Sequence, residues 1–261
     1  MRRARLPLLA AALLLPARPA PADAPARSQW VLATAKATGQ GGEQFVSSLR
    51  IVNPGAEAAG VTVTYLAQSL IDGSNAASGD NTGAATAHLT VAGGETLAVE
   101  DVLGTLFGAG LAPFGVPAGG LHVTSDRPVS VLSRTFVANA VSSTGVPGTY
   151  GFSIPAQVED QAVSPGDTAF VSYVAASPDA RSGFRSNFIM LNTSSSPAVV
   201  NVDLRKGDGT SVGNRDYGLG KLSAAQAGNL SGSFGYAGPD TNLTAVVTVK
   251  SGGPVVVGCS I

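Results

Sequence analysis

The stretch Phe45-Val46-Ser47-Ser48-Leu49-Arg50-Ile51-Val52-Asn53 has a counterpart in Phe184-Arg185-Ser186-Asn187-Phe188-Ile189-Met190-Leu191-Asn192. The offset is 139 at both ends (184 − 45 and 192 − 53). Without a gap, Val61, Val63 and Tyr65 then fall on Val200, Val202 and Leu204. Farther on, Ser125-Asp126-Arg127-Pro128-Val129 meets Ser251-Gly252-Gly253-Pro254-Val255 at an offset of 126. In Gly60-Val61-Thr62-Val63-Thr64-Tyr65-Leu66 apolar and polar residues alternate, the period of a strand with one buried and one wet face. The chain therefore reads as two copies of an extended unit that differ in length in the middle.

Composition agrees with thin sheets and tight turns. Only 13% of the residues are charged and 33 are Gly, while Val, Thr, Ser and Ala dominate the body. The N-terminus reads as an export signal. Arg2, Arg3 and Arg5 precede the apolar run from Leu6 to Leu15, and Ala22-Asp23-Ala24 offers small residues for cleavage. That run is shorter than the ~20 residues needed to span a bilayer, and Pro7, Pro16, Pro19 and Pro21 oppose a structural helix. Removing residues 1–24 leaves 12 basic and 16 acidic groups (16 − 4 and 17 − 1), which argues against nucleic acid as a partner. No later segment predicts a membrane span. The single cysteine, Cys259, lies in an apolar run and is expected to be a buried core thiol, with an intermolecular disulfide as the alternative.

In the first copy the pattern predicts strands near 30–37, 47–53, 60–67, 85–92 and 95–100, and a hairpin over 119–136 that turns at Asp126-Arg127. Residues 67–84 read as a long surface loop. Residues 100–107 carry Val102, Leu103, Leu106 and Phe107 at helical spacing behind Glu100 and Asp101, which predicts a short helix plugging the end of the sheets. Residues 149–155 alternate as an edge strand stopped by Pro155. The second copy predicts strands near 168–176, 186–192, 198–205, 210–219, 243–250 and 254–260. Lys206-Gly207-Asp208-Gly209 reads as a turn, and 242–261 as a hairpin about Gly252-Gly253. The stretch 228–235 keeps Leu230 and Phe234 and is expected to be a loose loop.

Chemistry-bearing residues are sparse. His88 and His122 lie in strands and are expected to point outward, and no G-x-S-x-G elbow occurs. One cysteine and two distant histidines make no zinc set. The nearest calcium-like loops, Asp72-Gly73-Ser74-Asn75 and Asp208-Gly209-Thr210, read as turns. The adjacent pairs Glu100-Asp101 and Glu159-Asp160 suit helix capping or solvent better than glycoside hydrolysis. No catalytic residue, cofactor or metal is assigned. Trp30 is expected to pack on the core of the first strand. The expected contact residues are Arg134, Tyr150 and Phe152, in a groove between the two copies.

The phrases Leu49-Arg50-Ile51-Val52-Asn53-Pro54-Gly55, Ser133-Arg134-Thr135-Phe136 and Gly148-Thr149-Tyr150-Gly151-Phe152-Ser153-Ile154-Pro155-Ala156 carry a resemblance. The chain resembles a group of uncharacterised exported bacterial proteins with tandem Ig-like β-sandwich repeats. The resemblance implies fold and export, and brings no catalytic residues with it.

The resulting expectation is an all-β protein: two tandem antiparallel Ig-like β-sandwich domains, with one short helix in the first. A signal peptide occupies 1–24, the first domain 25–140, a linker with an edge strand 141–167 and the second domain 168–261. The expected role is non-catalytic, in surface attachment, adhesion or scaffolding outside the cytoplasm (secreted, periplasmic or at the cell surface). Its expected partner is a cell-surface or extracellular polymer or protein, glycan or cell-envelope binding being one such role. The alternatives are a homo-oligomeric surface polymer, whose terminal strand adds to a neighbour's sheet, and a hydrolase with a dispersed site.

Overall fold

Alternating Val, Thr and aromatic residues form sixteen strands in the computed structural model, which describes residues 24–39, 42–69, 78–108, 118–142, 144–178, 186–236 and 238–260. The predicted signal segment, apart from Ala24, and Asp72 to Asn75 lie outside the described residues. The first half contains β1 (Ala26–Thr38), β2 (Gln44–Val52), β3 (Ala59–Ala67), β4 (Ser78–Asp80), β5 (Thr86–Val91), β6 (Thr96–Val99), α1 (Val102–Leu106), β7 (Ala118–Val141), β8 (Pro147–Pro155) and β9 (Gln157–Val158). A 3-10 turn, Glu159–Gln161, leads to β10 (Thr168–Ala176), β11 (Asn187–Asn192), β12 (Ala198–Arg205), β13 (Ser211–Lys221), β14 (Ala224–Ala227), α2 (Leu230–Ser233), β15 (Asp240–Gly252) and β16 (Val255–Ser260).

In the first half the strands run in the order β5-β3-β7-β1-β2-β6, with β8 on β7 and β9 on β1. Both β1 and β7 bend from one layer to the other. Residues 118–125 of β7 pair with β3 and β1, and residues 130–137 pair with β2. Because β7, β1 and β2 each pair with the other two, this half closes partly, like a flattened barrel. Leu49, Ile51, Val61, Val63, Leu121 and Val123 fill it. In the second half, the sheet β10-β15-β12-β13-β4 faces the sheet β14-β11-β16 across a core that includes Phe188, Met190, Val200, Val202, Leu204 and Val247.

The two halves are not beads on a linker. Strands present alternate residues to opposite faces. Trp30, Leu32 and Leu66 leave the first core and meet Ile189, Leu191, Ala224 and Val256 on the outer face of the three-stranded sheet. Gly120 leaves space for this contact, since a Cβ there would collide with the Leu191 side chain. The chain adds further ties. β4 pairs in parallel with β13 of the second half, Ser69 N–H donates to the Ala224 carbonyl (2.8 Å), and Gln157 of β9, which pairs with β1, donates from Nε2 to the Val257 carbonyl of β16 (3.1 Å). Asn81 spans both halves, donating from Nδ2 to the Ala67 and Leu222 carbonyls (3.0 and 2.9 Å).

Several local expectations are corrected. Residues 119–136 are one continuous strand instead of a hairpin. Asp126 and Arg127 mark the kink between layers, where Asp126 Oδ1 accepts from Gly60 N–H (2.9 Å) and Arg127 pairs with Glu57. Residues 242–261 are no hairpin either: β15 pairs with β10 and β12, and β16 with β11. Gly252, at φ +90°, is needed there for close approach to the Pro197 carbonyl. The expected loose loop at 228–235 holds α2, capped by Asn229 and anchored by fully buried Leu230. The expected surface loop 67–84 delivers β4 to the other half, and β14, absent from the sequence reading, flanks β11.

The same hydrogen bonds recur 139 residues apart. Ser47 Oγ accepts from Ala35 N–H (2.8 Å), and Ser186 Oγ from Ala175 N–H (2.7 Å). Fully buried Asn53 donates from Nδ2 to the Glu57 and Val91 carbonyls (2.8 and 3.0 Å) and accepts from Gly55 N–H. Fully buried Asn192 donates to the Ser196 and Gly220 carbonyls (2.7 and 2.8 Å) and accepts from Ser194 N–H. Each amide holds the loop after its strand and a neighbouring strand at once. Truncation leaves two carbonyls and one N–H short of a partner, at ~1–3 kcal/mol for each that stays buried. Asn53→Ala and Asn192→Ala should each lower stability by roughly 2–4 kcal/mol in urea unfolding. Losses below about 0.5 kcal/mol, the level of an ordinary surface substitution, would show that these bonds do not organise the loops.

Candidate functional site

On β2, Phe45 and Ser47 share the face that Leu49 and Ile51 present to the first core. The strands of this half extend past the end of that core, so the same face continues into an open cleft. Register places Phe45 opposite Val137, and Val137 opposite Tyr150 of β8. In the next row Ser47, Thr135 and Phe152 stand side by side. Val137 is buried, whereas Tyr150 is 60% exposed, so the row of side chains runs from packed to solvated.

The cleft encloses about 400 Å³. Phe45, Thr135 and Phe152 line one side, and Asn187, Ala225 and Gln226 of the second half line the other. Small residues of β1, β7 and β14, such as Ala35, Gly119 and Ala224, leave the space open. Its polar side chains among the described residues are three carboxamides, Gln68, Asn187 and Gln226, and three hydroxyls, Thr34, Thr135 and Ser260. Gln68 and Gln226 are half-buried and make no side-chain hydrogen bond among the described residues. Asn187 uses Oδ1 to accept weakly from Asn229 N–H (3.4 Å). The volume lies at the low end of the ~300–1,000 Å³ typical of small-molecule sites.

Of the three expected contact residues, the structure brings Phe152 and Tyr150 together and separates Arg134. Arg134 pairs with Ser153 in register, so it occupies the opposite face of the sheet. There it donates to Thr149 Oγ1 (3.1 Å) and stacks over Phe136 (4.9 Å). Phe45, Gln68, Asn187 and Gln226 were not singled out by sequence. They belong to four separate segments, and only the packing of the two halves assembles them. The one local signal was the alternation shared by Phe45 and Ser47.

A second cluster forms where the linker docks. His122 was expected to face solvent. Instead its ring stacks on Trp30 at 3.7 Å and 4°, because the two residues are cross-strand partners. Trp30 belongs to the contact between the halves, not to the core of the first. Ser28 Oγ lies 2.9 Å from His122 Nε2, while Glu159 Oε2 accepts from Trp30 Nε1–H (2.9 Å) and from Ser28 Oγ (3.4 Å). The residue types are those of a hydrolytic triad, but the connections differ. In a triad the carboxylate orients the imidazole, whereas here it binds the serine and the indole and competes for the serine proton. Glu100 and Asp101 are also engaged: Glu100 pairs with Arg50 (2.6 Å), and Asp101 caps α1 and pairs with Lys36 (2.5 Å). Among the described residues, no group of three or more His, Cys, Asp or Glu side chains is placed to hold a metal ion. Asp208 serves its turn, accepting from Thr210 N–H (2.9 Å). Cys259 is half-buried instead of buried as expected, packed against the core of the second half, and burial raises its thiol pKa.

Comparison with protein-family models, curated proteins and solved structures gives no match.

Burial of His122 disfavours its charged form and lowers its pKa, and nearby Glu159 opposes this only in part. The unfolded chain therefore binds more protons once the pH falls below about 6.5, the ordinary histidine value. This contribution to stability is complete above that pH and is lost as the pH falls. His122→Phe retains a ring against Trp30 and removes the titration. Between pH 7.5 and 5, urea unfolding of His122→Phe should show a smaller loss of stability than the parent. Equal losses would remove His122 as the cause.

Proposed function

We propose that this chain is a non-catalytic, exported β-protein for surface attachment, adhesion or scaffolding, and that it binds an extracellular or cell-surface polymer or protein. In this reading the halves are related Ig-like units, in line with the phrase-level resemblance and the hydrogen bonds repeated at 139 residues. The observation that carries the reading is the cleft of about 400 Å³ between the halves, with Phe152 in its wall and exposed Tyr150 beside it. Solvent-exposed aromatic rings next to an apolar recess are typical of recognition surfaces. The Ser28–His122–Glu159 cluster gives less support to a hydrolase, because its carboxylate does not bond the imidazole.

Self-assembly by donation of the last strand is the weaker alternative. β16 already pairs with β11 over six residues, from Asn187–Ser260 to Asn192–Val255. The edge strand β10 is bent by register shifts around Tyr173, whose φ is +62°, and such bulges discourage pairing with another chain.

Light scattering on the purified chain, combined with binding to an array of glycans, cell-wall fragments and extracellular proteins, tests the proposal. The expected result is a monomer that binds a polymer or protein without turning it over. Hydrolysis of a polysaccharide, ester or peptide that is abolished by Ser28→Ala or His122→Phe would replace the proposal with an enzyme.

A further inference from the structure

We propose that the cleft takes a short segment of an uncharged glycan. Its sugar rings would lie on the Phe45–Tyr150–Phe152 surface, and its hydroxyls would bond to the carboxamides of Gln68, Asn187 and Gln226. This rests on the reading of the cleft as the binding site.

The shape of the wall is the first argument. Across β2, β7 and β8 the register sets Phe45, Val137 and Tyr150 in one row and Ser47, Thr135 and Phe152 in the next. The middle strand contributes only Val137 and Thr135, both buried and short, so the aromatic residues stand at either side of a shallow floor. The C–H faces of a sugar ring pack on aromatic rings, and its rim of hydroxyls remains free for polar partners. Tyr150 continues the same surface into solvent, so the rest of a polymer has a way out of the cleft.

The polar groups are the second argument. Each carboxamide offers both a donor and an acceptor, which matches hydroxyls that also do both. Gln68 and Gln226 have neither engaged among the described residues, and Asn187 has its N–H groups unengaged. An acyl chain in the cleft would cover these amides without bonding them, at a desolvation cost for each.

Charge is the third. Among the described residues, no Asp, Glu, Lys or Arg lines the cleft. Arg134, on an adjoining strand, is turned to the opposite face and bonded to Thr149. A uronic acid, phosphate or sulfate entering this cleft would lose water without gaining a counter-charge.

The test is titration calorimetry of the full chain with neutral oligosaccharides (β-glucan, mannan, xylan and chitin fragments), uronic-acid oligosaccharides, extended peptides and phospholipid vesicles. It is repeated with Tyr150→Ala, Phe152→Ala, Gln226→Ala and Arg134→Ala. Melting curves check the fold, and exposed Tyr150 supplies a variant that does not disturb packing. Binding to a neutral oligosaccharide is expected, weakened about tenfold or more by Tyr150→Ala and Phe152→Ala, weakened also by Gln226→Ala, and unchanged by Arg134→Ala. Neutral-glycan binding that none of the cleft variants alters would overturn the inference and leave a binding protein with its site elsewhere. Binding confined to acidic glycans, peptides or vesicles, and lost in Phe152→Ala, would overturn the ligand class and keep the cleft. Binding to none of the probes would overturn the glycan assignment and count against the cleft as a binding site.

Discussion

The contact between the outer face of the first half and the outer face of the β14-β11-β16 sheet governs the rest of the molecule. Trp30, Leu32, Leu66, Ile189, Leu191 and Val256 bury large apolar surfaces there. At ~1.5–3 kcal/mol for each fully buried large side chain, and with the discount due for a compact unfolded chain, their burial is worth on the order of 10 kcal/mol. That is comparable to the whole stability of an ordinary domain. The contact turns two separate cores into adjacent layers. It also sets β14 and Asn187 across from Phe45 and Phe152, so the cleft exists only because the halves are pressed together.

The chain reinforces this contact with backbone. β4 leaves the first half to lie along β13 of the second, and β9 returns from the linker to β1. The linker is thereby held as a strand and a 3-10 turn, with Glu159 bonded to the Trp30 indole. The cluster of Trp30, His122, Ser28 and Glu159 is thus most simply a clamp on the linker. It places a titratable ring at the junction.

Much of the strand pattern was legible because burial on one face imposes alternation. β3, β10 and β12 lie within one residue of the positions that their Val and Thr residues predict. Where the reading failed, a local signal had two structural meanings. Polar Asp126-Arg127 marks a turn in many hairpins, but here it marks a strand changing layers. Gly252 allows a turn, but here it admits the Pro197 backbone. The helix α2 escaped notice because a cap at Asn229 and one buried leucine suffice for so short an element. The candidate site was legible only in part. Tyr150 and Phe152 stood out as aromatic residues on an edge strand. Their separation from Arg134 follows from strand parity, since 134 pairs with 153 and not with 152. Gln68, Asn187 and Gln226 carry no motif, and their convergence depends on packing between segments far apart in sequence.

Differential scanning calorimetry of the chain at neutral pH tests the central claim that the halves form one structural unit. A single transition, with equal calorimetric and van't Hoff enthalpies, is predicted, and Leu191→Ala should lower its midpoint as a whole. Two resolved transitions, with Leu191→Ala shifting only one, would contradict the account, because the halves would then fold independently and the cleft between them would have no fixed walls.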